Sequence, residues 1–135
     1  MATTKTIPAS YNDLMTQKKA LAHLATVMPD GTPQVTPVWF EYTGDKIRIN
    51  TARGRVKDKN MQKTTAVALS IVDPDNPYRH VVVRGRIVNV IEEGAAAHIA
   101  LLAKKYLGLD EYPWANQTDV RVIYEIEPTS VSTMG

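Results

Sequence analysis

The 135-residue sequence predicts one mainly-β domain, a small antiparallel barrel whose gaps are plugged by two to four short helices. Three observations carry this. Six successive segments are rich in β-branched and aromatic residues or alternate between apolar and polar. Tight-turn signals, Pro29-Asp30-Gly31-Thr32 and Gly44-Asp45, separate neighbouring segments. The clearest helical periodicity is confined to residues 93–107.

Each element has its own signal. Ser10 followed by Asp13 resembles a capping box before a short helix ending near Gln17. Residues 22–28 form a short apolar strand. After the Pro-Asp-Gly turn, residues 34–43 read as the second arm of a hairpin. Pro37 within that arm removes a ladder donor, which places the strand at an edge or a bulge. Residues 46–51 alternate Ile47 and Ile49 with Lys46, Arg48 and Asn50, as a half-buried strand does. Residues 55–64 break the strand pattern and predict one short helix. Residues 66–72 are an apolar strand stopped by Asp73-Pro74. Residues 80–91 are a long strand in which Gly85 marks a bulge or a close approach by another backbone. The helix over 93–107 places Ile99, Leu102, Ala103 and Tyr106 on one face, and Gly108 stands at its C-cap. Residues 120–127 close the domain as the sixth strand.

Composition narrows the chemistry. There are no cysteines, so disulfides, thiolate metal sites and cysteine nucleophiles are excluded together. His23, His80 and His98 lack metal-ligand spacing, so no metal is expected. His98, on an Ala-rich helix, is expected to be exposed or at an interface. No Walker loop, GxGxxG or GxSxG occurs. The net charge of +2 argues against a nucleic-acid partner. No apolar run approaches the ~20 residues of a membrane span, and the polar start resembles no signal peptide. The expectation is a soluble cytoplasmic protein without a membrane partner, folded as a single domain over 1–135 with residues 1–9 as a flexible N-terminal arm.

Three stretches could carry function. Arg53, Arg55, Lys57, Lys59 and Lys63 fall within eleven residues at a strand-to-helix junction. A helix N-terminus suits an anion, Gly54 permits close backbone approach, and arginine grips phosphate bidentately. The same run also reads as a solvated basic turn. Asp73-Pro74-Asp75-Asn76-Pro77-Tyr78-Arg79 either presents an aromatic face and a cation to a ligand or forms a rigid surface turn. Val35-Thr36-Pro37-Val38 could lie against a flat aromatic ligand, with Trp39 beside it in the core or at an interface. Tyr112-Pro113-Trp114 reads as an aromatic lid, a dimer contact or a packing anchor. No residue stands out as a catalytic acid or base.

Taken in order, PDGTPQVTPVWF, TARGRVKDKN, DPDNPYRHVVVRGRIV, GAAAHIALLAKKYLG and VRVIYEIEP resemble the pyridoxamine 5'-phosphate oxidase-like split-barrel superfamily. The likeness spans residues 10–131 and is nearest to its branch of small oxidoreductases dependent on the deazaflavin coenzyme F-420. It implies a six-stranded Greek-key split barrel and a homodimer with cofactor grooves at the interface. It also implies hydride transfer between the reduced deazaflavin and an unsaturated or electron-poor small molecule. By the resemblance, Arg55 and Lys57 hold the cofactor phosphate with Asn60 nearby. Val35, Thr36, Pro37 and Val38 lie along the tricyclic ring, Asn50 and Thr51 line the ribityl chain, and Arg79 approaches from across the groove. True pyridoxamine phosphate oxidases are longer and carry a C-terminal substrate-binding extension, whereas this sequence ends with Glu127–Gly135, so vitamin B6 oxidation is not expected. The alternatives are an FMN-dependent oxidoreductase of the same fold and a non-catalytic flavin or deazaflavin carrier.

Overall fold

A computed structural model describes residues 5–135. Its strands are β1 (Ala22–Val27), β2 (Pro33–Val38), β3 (Glu41–Tyr42), β4 (Ile47–Ala52), β5 (Ala66–Asp73), β6 (Asn76–Ile91) and β7 (Arg121–Met134). The helices are α1 (Asn12–Thr16), α2 (Val56–Lys63) and α3 (Ala95–Leu107). All seven strands form one antiparallel sheet in the order β2-β1-β5-β6-β7-β4-β3. β2 and β3 are therefore opposite edges of the sheet, yet only Trp39 and Phe40 separate them along the chain. Consecutive Cα atoms span about 3.8 Å. Two edges joined by so short a link can meet only if the sheet curls back on itself, as a half-barrel.

The seventh strand arises at that link. The predicted arm over 34–43 is two strands, because its first part pairs with β1 up to Val38 and its second pairs with β4 from Glu41. At the link Val38 and Phe40 are buried, with Trp39 half-buried between them. Pro37 lies in β2, at the sheet edge, as its missing donor requires. β6 begins at Asn76, four residues before the predicted start, because Asp73–Asn76 closes a tight turn rather than a loop. β7 runs seven residues past the predicted end and pairs with β6. That pairing shifts register at Arg84/Gly85, where the sequence predicts a bulge. A Cβ on Gly85 would stand 2.7 Å from both the Glu127 carbonyl oxygen and Ile126 Cγ2, so only glycine fits there.

The curled sheet encloses an apolar core built on Leu24, Phe40, Ile49, Leu69, Val83 and Tyr124, with Leu14 and Met15 of α1 and Met61 of α2 plugging it. The Ser10 capping box is not formed. Tyr11 occupies the N-cap of α1 without a side-chain bond, and the Asp13 carboxylate goes to Arg79 instead. Residues 1–4 of the expected N-terminal arm lie outside the described residues. Ile7 packs on the core and Ala9–Tyr11 form a single 3-10 turn. No helix among the described residues is long and apolar enough to cross a membrane.

Candidate functional site

A cavity of about 360 Å³ opens where β2, β4, β7 and the start of α2 converge. Local rules put its groups there. β4 ends at Ala52, and Gly54 turns the chain at φ +92°, a conformation that favours glycine. Arg55 is then the extended N-cap of α2, and Lys57 lies in its first turn. Asp58, 1% exposed, accepts the Gly54 backbone N–H at 2.9 Å and the Tyr124 hydroxyl at 2.6 Å, which fixes the turn. On the neighbouring strand Arg121 pairs with Ala52 and so emerges beside the same turn.

The cavity lining carries Arg55, Lys57 and Arg121, and no carboxylate. Among the described residues none of the three cations makes an ion pair within 4.0 Å. Lys57 is held below the usual lysine range, first by burial and then by the positive charges of Arg55 and Arg121. Arg121 is lowered chiefly by burial, with Arg55 acting in the same sense. Asp119 offsets part of this at Arg121, but three cations gathered at one cavity without an ion-paired carboxylate make an anion site.

Above the cations the walls are aromatic. Trp39 stacks on Tyr106 with ring centroids 5.2 Å apart and planes 6° from parallel. Tyr106 is anchored by its hydroxyl, which donates to the Ala20 carbonyl at 2.6 Å, and burial pushes that phenol up to about 12. Gly108 ends α3 in the left-handed conformation, and the following loop brings Tyr112 edge-on to Trp39 at 6.2 Å. Trp114 lies 5.6 Å from Tyr112 and is 62% exposed. Arg121 stands over the Tyr112 ring at 5.3 Å. The result is a flat slot between aromatic and aliphatic walls with a cationic end, suited to an aromatic ring system bearing a phosphate.

Of the residues expected at the site, the structure brings Pro37, Val38, Asn50, Thr51, Arg55 and Lys57 to this cavity. Val35 and Thr36 continue β2 from the lining, Val35 exposed and Thr36 with a buried hydroxyl oxygen that lacks a partner. Asn60 and Arg79 are elsewhere. Asn60 is buried on α2, where Nδ2 donates to Thr26 Oγ1 at 3.0 Å. Arg79 binds Asp13 at 2.7 Å and Asp73 at 2.9 Å. Trp39, Tyr112, Trp114 and Arg121 complete the cavity without having been assigned to it from the sequence. The Tyr112-Pro113-Trp114 motif was a usable signal; Arg121, in an ordinary strand, had none. His98, expected exposed or at an interface, is buried, because its position on α3 faces β4 rather than solvent. Among the described residues no three His, Asp or Glu side chains could share a metal ion.

A family model described as pyridoxamine 5'-phosphate oxidase matches residues 10–135. Among solved structures, an F-420 reductase is 37% identical, with a TM-score of 0.82 over 93% of this chain and 98% of its own. A conserved hypothetical protein from Mycobacterium tuberculosis has a TM-score of 0.71 at 22% identity, covering 96% of this chain and 86% of its own. A putative pyridoxamine 5'-phosphate oxidase from Lactobacillus delbrueckii has a TM-score of 0.67 at 22% identity, covering 96% and 95%. The latter two share the fold. No curated protein sequence gives a significant match.

Proposed function

Because this chain belongs to the pyridoxamine 5'-phosphate oxidase family, we propose that it is an oxidoreductase using coenzyme F-420 to reduce an unsaturated or electron-poor small molecule. The observation that carries the reading is the cluster of Arg55, Lys57 and Arg121, none of them ion-paired, at the end of an aromatic slot. The likeness to an F-420 reductase favours the deazaflavin over FMN.

The residues present fit such a cofactor. Arg55 and Lys57 would hold the phosphate, Arg as a fork and Lys as a point charge, with Arg121 closing the third side. Asn50 and Thr51, both on β4, would line the ribityl chain. Pro37, Val38 and Trp39 would lie along the tricyclic ring, with Val35 and Thr36 continuing that edge. The bound deazaflavin supplies the hydride, and the protein supplies binding and orientation. Among the described residues no carboxylate or histidine lines the cavity, and its side chains would bind, orient and desolvate the cofactor. Leu21 and Trp114 leave apolar surface at the open side of the cavity, which a second copy of the chain would cover in a homodimer.

The cationic end serves FMN equally, since both cofactors carry a phosphate beside a ribityl chain. Separate titrations of the purified protein with F-420 and FMN decide between them, and tight FMN binding without F-420 binding would overturn the deazaflavin assignment. Oxidation of reduced F-420 with a panel of quinones and conjugated ketones then tests turnover. Tight binding with no oxidation of any of them would make the protein a carrier.

A further inference from the structure

Behind the cationic wall a line of polar groups runs from Arg121 and Asn50 to His98 and Glu41, and the last two lie outside the cavity lining. Asn50, 9% exposed, has its whole amide engaged. Nδ2 donates to the Ala95 carbonyl at 2.8 Å and contacts His98 Nδ1 at 3.1 Å, while Oδ1 accepts from Arg121 Nε at 2.9 Å. His98, 5% exposed, reaches Glu41 Oε1 through Nε2 at 3.1 Å. These contacts fix the protons. Asn50 must donate to Nδ1, so the imidazole proton sits on Nε2 and is donated to Glu41. Burial, more than any neighbouring charge, keeps His98 below the usual histidine range, consistent with a neutral ring.

An amide can be turned either way round. Reversed, the Asn50 NH2 group would confront the Arg121 N–H. Two acceptors on the other side, one backbone carbonyl and one imidazole nitrogen, prevent this. Burial and Arg55 disfavour the Arg121 charge, Tyr112 and Asp119 favour it, and no carboxylate lies within ion-pair distance, so the Asn50 oxygen is a needed support. The Asn50 oxygen directs the guanidinium without neutralising it, so its charge stays available to an anion.

We infer that His98 is a positioning residue of the anion site, acting through Asn50 to hold Arg121 in place at the cavity. The inference concerns how the site is held and rests on the cofactor reading only for what Arg121 then binds.

The test follows the Arg121 Nε–H resonance in the ligand-free protein, together with FMN and F-420 affinity. In His98→Leu, solvent exchange of that proton should accelerate by about three- to tenfold, the equivalent of one hydrogen bond, and affinity should fall by a similar factor. In an Arg121→Met background, His98→Leu should cost no further affinity. His98→Gln, whose side-chain oxygen can accept from Asn50, should restore part of the loss. The wild type gives the same information without substitution. As acid protonates His98, followed by its ring nitrogen shifts, the Arg121 signal should move with the same midpoint. Glu41, Arg48 and Lys105 are the charged groups around that ring, and Glu41→Gln separates the Glu41 titration from that of His98. An Arg121 signal indifferent to both substitution and pH, or additive affinity losses in the double variant, would overturn the inference. If the signal responds but Arg121→Met leaves both affinities unchanged, the positioning role stands and the cofactor reading fails.

Discussion

Two regions of the molecule gather cations, and they treat them in opposite ways. At the β5–β6 turn, Arg79 is held by Asp13 and Asp73, and Lys18 reaches Asp73 at 2.8 Å. The Asp73 carboxylate is 3% exposed and lies well below the usual range, through Lys18 first, then the Asp75 backbone N–H, then Arg79. At the cavity, Arg55, Lys57 and Arg121 face one another with no carboxylate in the lining. The first arrangement stabilises the fold by joining α1 to the sheet. The charges of the second oppose the fold, since crowded like charges destabilise the compact state. A cluster that opposes folding is explained by what it binds, which is why the cavity and not the turn marks the site.

The comparison can be broken most severely at Asp58. Arg53, two residues before Arg55, belongs with the neutralised group: it binds Asp58 at 3.0 Å and Glu92 at 2.8 Å. Asp58→Ala would strip a counter-charge from Arg53 and partners from the Tyr124 hydroxyl and the Gly54 N–H. Chemical denaturation should show a loss of about 2–4 kcal/mol, as for other buried charge pairs cut on one side. A loss within about 0.5 kcal/mol would mean that Asp58 does not hold the turn. Lys57→Met tests the other group. It removes a charge that nothing neutralises, so stability should hold or rise by up to about 0.5 kcal/mol. A clear fall in the urea midpoint would show a structural role for that ammonium.

The smallest effects are those of pH, and they have different windows. Asp73 is depressed in the folded state, so its contribution is present above its unfolded value, about 3.9, and lost as pH falls below it. Lys57 is depressed below about 10.5. Between its folded and unfolded values the unfolded chain keeps a proton that the native chain has released, so stability rises with pH there. Urea midpoints of the wild type and Lys57→Met across the alkaline range should differ by that rise. Parallel curves would contradict the crowding of charge at the cavity.

The strands were legible in the sequence because burial imposes a period of two, as at Ile47 and Ile49. The edge position of β2 was legible from Pro37, the bulge from Gly85 and the end of α3 from Gly108. The split at Trp39-Phe40 was not, since an aromatic pair reads as strand until one knows that the sheet curls there. The extension of β7 was hidden by a polar sequence around Pro128 that only the partner strand β6 organises. At the site, Arg55 and Lys57 were visible as part of a basic run at a helix start, whereas Asn50 and Thr51 were named only through the family resemblance. Arg121 and Trp39 join them across long sequence separations, through strand pairing and curling that no local pattern records. His98 looked exposed because small alanines surround it in sequence, whereas its burial comes from packing against β4.

The central claim is that the unpaired cations form the phosphate end of a cofactor site. The most direct measurement is equilibrium binding of F-420 and FMN to the wild type and to Arg55→Ala and Lys57→Ala, with unfolding followed in parallel. Each substitution removes one charge-assisted hydrogen bond, and affinity for the bound cofactor should drop about 10- to 100-fold with the fold intact. Unchanged affinity in both variants would contradict the account.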